Sequence, residues 1–332
     1  MPLRVPAEDL FHRYLITGGT GFIGSNLVRS LVVQGKEVHL LVRPGSSLWR
    51  IDDIKQHVRC WVGDLQDRQS LVDCVGSAQP QVIVHLGGGS MGRPWDVDFS
   101  EVFASINLNL MGTLALLQAV VESGAPVQRF IRMGGLLEYG QGPVPFVESQ
   151  REQPVSIYPA TQVATTVLLN ALHQGFDFPI ISLRLASVYG PGRSLDFFIP
   201  ALICAALKGQ DFAMTSGRQA WDMLYVDDAI DAIVTAANSD CASGEVINIG
   251  SGEGHSLKSI AELIVANVPG AGELKVGAKP EPVGAIPNLT CNIMKAKEIL
   301  GWQPKTSLET GLKKTIQWYR DHLPQLEQKA GT

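Results

Sequence analysis

The stretch Thr17-Gly18-Gly19-Thr20-Gly21-Phe22-Ile23-Gly24 sets glycines at 18, 21 and 24, a spacing suited to holding a phosphate chain. The first permits a tight turn, the second lets backbone approach a pyrophosphate, and the third lets a helix pack closely on the preceding strand. Backbone N–H groups at that helix start lack intrahelical partners and carry the positive end of its dipole, so they face phosphates favourably. The chemistry indicated is dinucleotide binding.

The neighbouring elements are those such a turn requires. Tyr14-Leu15-Ile16 reads as a short strand, residues 25–34 as an amphipathic helix stopped at Gly35, and residues 37–43 as a second strand. Further strands read at 58–62, 82–86 and 129–133, with helical patterns over 67–79 and 99–122 between them. Strands separated by helices predict an α/β fold, a doubly wound parallel (Rossmann) sheet covered on both faces. Residues 1–175 then form the dinucleotide-binding domain, and a strand over 179–188 also joins the sheet. The regions of Asp64, Leu86 and Gly134 fall at carboxyl ends of strands, where ligands collect in such sheets. After residue 175 the pattern loosens into short strands (212–215, 223–226, 246–249) and helices, one opened by Ser256 and one by the capping box Thr306-x-x-Glu309. Residues 190–332 read mainly as a smaller, interleaved α/β lobe for substrate.

Composition narrows the class. An apolar fraction of 45% over 332 residues supports a large core, and a formal charge of −5 carries no nucleic-acid footprint. The five cysteines, at 60, 74, 204, 241 and 291, lack C-x-x-C spacing and read as reduced thiols rather than disulfides or a metal site. No apolar leader opens the chain and no apolar run reads as long enough to span a bilayer, so the expectation is a cytoplasmic protein without a membrane partner.

Further motifs follow in order: Gly63-Asp64-Leu65, Asn109-x-x-Gly112-Thr113, Glu138-Tyr139-Gly140, Tyr158, Arg184-x4-Tyr189-Gly190-Pro191-Gly192, Tyr225-Val226-Asp227-Asp228, Asn248-Ile249-Gly250-Ser251-Gly252 and Lys295-Ala296-x3-Leu300-Gly301-Trp302. Together with the glycine turn they resemble the extended short-chain dehydrogenase/reductase family of nucleotide-sugar epimerases, dehydratases and reductases. The resemblance implies a nicotinamide cofactor on the first lobe and a nucleoside-diphosphate sugar against the second. By position, Gly18, Thr20, Gly21, Phe22, Ile23 and Gly24 would hold the pyrophosphate. Asp64 and Leu65 would flank the adenine; Leu86, Gly87, Gly88 and Asn109 would serve the ribose and nicotinamide half, although Leu65 and Leu86 read equally well as core residues. The family also implies a homodimer through the helices near 99–122 and 158–173. Arg43, nineteen positions after Gly24, stands where an acidic residue would bind a 2′-hydroxyl; a guanidinium there, with Ser46 nearby, suits a 2′-phosphate. NADP(H) is therefore favoured over NAD(H).

The family's catalytic set is a Tyr-x-x-x-Lys pair plus a Ser or Thr. Here Tyr158 is kept, Gln162 stands at the position of the lysine that grips the cofactor ribose, where its amide can donate a hydrogen bond as a neutral grip, and Gly135 stands at the hydroxyl position. A free tyrosine titrates near ~10, so making it a base at neutral pH needs about 4 kcal/mol of differential stabilisation, which a neutral glutamine does not bring. Epimerases and dehydratases begin by oxidising the sugar and need tyrosinate; a keto-sugar reductase needs a protonated donor, and this chain favours the latter. On that reading Gln162→Lys keeps or raises NADPH consumption. The Asp-Glu pair of the 4,6-dehydratases is Leu136-Leu137 here, while Glu138 is a new carboxylate that could serve as acid or base and reads equally well as a helix-start or surface residue. In the second lobe Ser187, Arg193, Arg218 and Trp221 are the candidate substrate contacts, with Trp221 at a position usually held by arginine. Two alternatives to the reductase stay open: a catalytically silent binding subunit, and an enzyme rewired around Glu138.

Overall fold

The computed structural model describes residues 10–89, 99–281, 284 and 286–330. Six strands run in the expected order: β1 (Arg13–Thr17), β2 (Glu37–Val42), β3 (Val58–Val62), β4 (Val82–His85), β5 (Arg129–Gly135) and β6 (Ile180–Leu185). The chain then lays down β7 (Ser187–Tyr189), β8 (Phe212–Met214) and β9 (Ala220–Tyr225) outside that sheet and returns to it with β10 (Val246–Ile249). The seven strands lie in the order β10-β6-β5-β4-β1-β2-β3, every neighbour parallel. The order reverses between β1 and β4, so the crevice that binds ligands in doubly wound sheets opens at their carboxyl ends.

Alternate strand residues feed two cores. Leu15, Ile83, Phe130 and Ile180 face one side with Leu71, Val75, Leu116 and Leu169. Ile16, Val84, Ile131 and Ile181 face the other with Leu27, Leu31 and Ile233. Those side chains come from α1 (Phe22–Val33), α2 (Arg68–Ala78), α4 (Gly112–Ser123), α5 (Ile157–Phe176) and α7 (Val226–Ala237), while α3 (Phe99–Ser105) leads into α4 and α6 (Phe198–Leu207) lies beyond β7. Asp67 starts α2 by accepting from the N–H groups of Gln69 and Ser70, and such a cap is worth about 1 kcal/mol. Burial on both faces is the dominant stabilisation, about 1.5–3 kcal/mol for each large apolar side chain.

Two expectations change. Residues 246–249, read as part of the smaller lobe, form the edge of the main sheet beside Ser182 to Leu185. Ile247, Asn248 and Ile249 are all buried, and the chain recovers the polar cost of Asn248 by pairing it with the Tyr139 hydroxyl and the Phe146 carbonyl. The helical stretch 99–123 proves long and apolar enough by length and composition to cross a membrane. In this fold it covers the sheet: Leu116, Leu117, Ala119 and Val120 are buried there, and a π-helical turn over Ile106–Met111 carries the buried Asn109.

The smaller lobe is built around β9, which pairs with β7, with β11 (Gly254–Ser256) and with β13 (Asn288–Leu289), while β8 pairs with β12 (Leu274–Val276). Helices α6, α8 (Leu257–Ala266) and α9 (Leu308–Ala330) pack alongside.

Candidate active site

The turn between β1 and α1 tolerates no side chain at two of its glycines. Gly18 has φ +70°, and a Cβ there would lie 2.8 Å from the Leu86 carbonyl carbon; a Cβ on Gly24 would lie 2.2 Å from the Gly18 oxygen. Gly21 begins α1 with no side-chain cap and no acidic residue in the first turn, which leaves the N–H groups of Phe22, Ile23 and Gly24 for an anion. Thr20, partly buried, completes this turn. The cradle fits a pyrophosphate for the same reason it excludes a Cβ.

A buried chain of hydrogen bonds, not anticipated from the sequence, fixes the facing segment. The Gly87 N–H donates to Thr17 Oγ1 (2.9 Å), which lies 2.7 Å from His85 Nδ1, and His85 Nε2 lies 3.0 Å from Thr113 Oγ1. Thr113 gives its own proton to the Asn109 carbonyl (2.5 Å), so Nε2 must donate and Nδ1 accept from Thr17. Burial, helped by the nearby Arg132 charge, pushes the His85 pKa down to about 3 and keeps the ring neutral for this role. Asn109 Oδ1 accepts from the Gly89 N–H (2.8 Å), while its amide nitrogen donates to Thr161 Oγ1 (3.0 Å). Thr161 in turn donates to the Tyr158 carbonyl (2.8 Å), so Asn109 ties the 86–89 loop to the turn of α5 bearing Tyr158.

Other cofactor candidates fall in two groups. Arg43 is exposed just after β2, and a turn bond from the Ser46 N–H to the Arg43 carbonyl (3.1 Å) brings Ser46 back beside it. Asp64 is half-buried at the end of β3 and accepts from the Gln66 N–H (2.9 Å). Leu65 is 6% exposed within the apolar core, its side chain against Gly112 and Gly87, and Leu86 is partly buried against the other core. Both leucine side chains serve packing, leaving only their backbone for a ligand.

The corner that holds the candidate catalytic residues joins the end of β5 to α5. Tyr158 is the second residue of α5 and Gln162 lies one turn later. Burial pushes the Tyr158 phenol up, Arg132 and a hydrogen bond from Gln162 oppose this, and Glu138 adds to it; the net direction is upward. Gly135 has extended backbone, φ −154°, and an added Cβ would meet nothing nearer than the Leu185 oxygen at 3.6 Å. The missing hydroxyl is therefore not imposed by space.

Glu138 departs from the expectation of an acid or base. It is 1% exposed and accepts from Arg132 Nη1 (3.1 Å), Arg184 Nε (3.0 Å), Thr166 Oγ1 (2.9 Å) and the Gly135 N–H (3.1 Å). Burial works against its charge, but the two guanidinium groups and these donors outweigh burial and hold its pKa below the usual value. A carboxylate locked this way is a structural anion, not a proton shuttle. Arg132, overlooked in the sequence, is equally buried; it also donates to Thr166 Oγ1 (2.7 Å), the Gln162 carbonyl (2.9 Å) and Gln162 Oε1. Gly134 makes room for this network, because a Cβ there would lie 2.0 Å from Glu138 Oε1 and 2.6 Å from Arg132 Nη1.

The substrate-lobe candidates do not form one cluster. Ser187, partly exposed, opens β7 next to β6. Arg193 donates to the Val188 carbonyl and stacks over Phe197 (3.8 Å) and over Phe22 of the pyrophosphate turn (5.4 Å), so it bridges the two lobes. Burial lowers its pKa to about 10. Arg218 lies on an exposed loop, bonded to Ser216 and beside Glu281. Trp221 packs on the core with its N–H 3.5 Å from the Ile286 carbonyl.

A parallel sheet whose switch point carries a steric phosphate cradle, with Tyr158 at the start of α5, defines a dinucleotide-binding protein of the doubly wound class. Residues 14–250 match the NAD dependent epimerase/dehydratase family, and the chain belongs to that family, within the extended short-chain dehydrogenase/reductases. It is 31% identical over 336 residues to UDP-N-acetyl-alpha-D-glucosaminuronate decarboxylase of Bacillus cytotoxicus, covering 93% of this chain and 98% of the relative. It is 28% identical over 328 residues to dTDP-D-glucose 4,6-dehydratase of Mus musculus, covering 95% and 90%. Among solved structures, Thermotoga maritima UDP-glucose 4-epimerase with UDP-glucose superimposes with a TM-score of 0.84 at 26% identity, covering 93% and 99%. MoeE5 in complex with UDP-glucuronic acid and NAD gives 0.81 at 28% identity over the same shares.

Proposed function

We propose that this member of the family is an oxidoreductase that reduces a keto group on a nucleoside-diphosphate sugar, with NADPH as its dinucleotide. Tyr158 carries the reading. Burial raises its pKa, Gln162 brings no charge and Gly135 no hydroxyl, so the phenol holds its proton at neutral pH. A protonated phenol suits delivery to an oxygen that becomes an alcohol, and it suits poorly the opening oxidation of an epimerase or dehydratase. The bound dinucleotide would supply the hydride. Around it, the 18–24 turn would bind the pyrophosphate, Asn109 and the 86–88 backbone would border the ribose, and Tyr158 Oη would hold the transferred proton. Leu136 and Leu137 argue against 4,6-dehydration despite the similarity to such enzymes.

The ligand of MoeE5 supports the dinucleotide class, and exposed Arg43 with Ser46 beside it supports a 2′-phosphate. The UDP-glucose and UDP-glucuronic acid of the two superimposed structures support a nucleotide sugar. Exposed Phe99, Phe103, Met111 and Val167 on the 99–123 helix and α5 support a homodimer, which sedimentation would report. The deciding experiment follows NADPH oxidation with nucleoside-diphosphate keto sugars. Tyr158→Phe is expected to lose about 10²-fold or more of the turnover, the range of a removed general acid; unchanged turnover sinks the reading. Arg43→Ala is expected to weaken NADPH about tenfold and leave NADH untouched, the effect of one charge-assisted contact.

A further inference from the structure

We infer that Arg132 is the positioning residue of this site: from β5 it brings the cation that α5 lacks at Gln162, and it turns the Gln162 amide so that its NH2 group faces the cofactor loop. The inference rests on the reading of Gln162 as a cofactor grip. A guanidinium has donors only, so the Gln162 atom against Arg132 Nη2 must be the amide oxygen. The same Nη2 holds the Gln162 backbone carbonyl at 2.9 Å, so the grip fixes main chain and side chain together. Nε2 is then directed towards the loop after β4, where a Cβ on Gly88 would come within 3.9 Å of it. That glycine is exposed and adds no side chain to block a ligand.

The other end of Arg132 is equally determined, with Nη1 bonded to Glu138 and Thr166. Arg132 and Arg184 are balanced by Glu138 and Glu152, all joined by ion pairs. A lysine at 162 would add an uncompensated cation against Arg132 in a buried corner, which is strongly unfavourable. The loss of the family lysine and the presence of Arg132 are thus one change, and the sequence expectation for Gln162→Lys reverses: alone it should harm the protein.

The test compares wild type with Gln162→Lys, Arg132→Met/Gln162→Lys, Arg132→Lys and Arg132→Gln, reading the thermal midpoint without ligand and the Kd for NADP+ and for NAD+. Gln162→Lys is expected to lower the midpoint and weaken dinucleotide binding about tenfold, and the double variant to regain most of both, the signature of coupled buried charges. Arg132→Lys, still a donor-only cation, is expected to keep the affinity; Arg132→Gln, which offers a carbonyl and lets Gln162 turn over, should weaken it about tenfold, the cost of one charge-assisted bond. A Gln162→Lys protein as stable and tight as wild type, a double variant no better than that single one, or equal affinity in the two Arg132 variants overturns the inference. Keto-sugar turnover is measured separately. If the variants follow the expected pattern but wild type reduces no keto sugar, the pair stands and only the reductase reading fails; a wild type that binds neither dinucleotide overturns both.

Discussion

The turn between β1 and α1 and the corner between β5 and α5 lie on the same edge of one sheet, yet they answer to opposite constraints. The turn works through backbone: its glycines leave no space for a Cβ, so its sequence stays readable. The corner works through side chains. Arg132, Glu138, Thr166 and Gln162 satisfy one another, and Gly134 is shaped around them. A corner that had only lost its catalytic groups would leave buried polar atoms stranded. Among the described residues, the one fully shielded polar atom of Arg132, Glu138, Gln162, Thr166 and Arg184 without a hydrogen bond is Arg184 Nη1, and that guanidinium lies 4.5 Å above the Tyr139 ring. The turn is held by steric exclusion, whereas the corner is held by charges that satisfy one another.

The largest effect on dinucleotide binding expected from this contrast is at Gly24. Gly24→Ala would drive a Cβ into the Gly18 oxygen and lift α1 from the turn. Calorimetric titration should show dinucleotide affinity reduced by about 10²-fold or more, about 2.7 kcal/mol, with stability also lowered. Wild-type affinity in this variant would break the claim that steric exclusion preserves the turn. Next is Gly134→Ala, which forces Glu138 and Arg132 apart in a dry interior. Separating a buried ion pair costs about 3–5 kcal/mol, to be read by urea denaturation. Its effect should fall on stability first, where Gly24→Ala falls on binding.

These two glycines also mark how far the sequence could be read. The 18–24 spacing is local, as are the strand and helix periods around it, so the turn and the parallel sheet were legible. Tyr158 and Gln162, one turn apart, were legible for the same reason. Arg132 was not: its partners Glu138, Gln162 and Thr166 lie 6, 30 and 34 residues away, and an arginine within an apolar strand gives no local sign of being buried. Glu138 was misread because a carboxylate near a tyrosine looks the same whether free or held by two arginines. Strand β10 was assigned to the wrong lobe because a four-residue strand with three buried residues carries no mark of the sheet it joins.

Titration sharpens the role of Glu138. Its folded pKa is held below the usual value, so its charge contributes stability that is fully present above the unfolded value of about 4.3. That contribution is lost as pH falls through the lower, folded value. Glu138→Gln should cost about 2–3 kcal/mol near neutrality, the worth of charge-assisted bonds, and the gap from wild type should narrow on acidification. A gap constant from neutral to strongly acidic pH would mean that the carboxylate charge contributes nothing to the corner.

The smallest effect on the fold is expected next door, at Gly135. Its backbone is extended and an added Cβ finds ordinary contact, so Gly135→Ser should shift stability by no more than about 0.5 kcal/mol. The same Ser would return a hydroxyl to the position from which the family's mechanism binds the reacting oxygen. If Tyr158 is the proton donor, keto-sugar reduction should rise, by about tenfold for one added donor to a forming alkoxide. A stable Gly135→Ser protein with unaltered turnover would show that the reacting oxygen does not sit between β5 and Tyr158. The rebuilt corner would then be a scaffold for cofactor alone, and the contrast with the turn would become one between two binding devices.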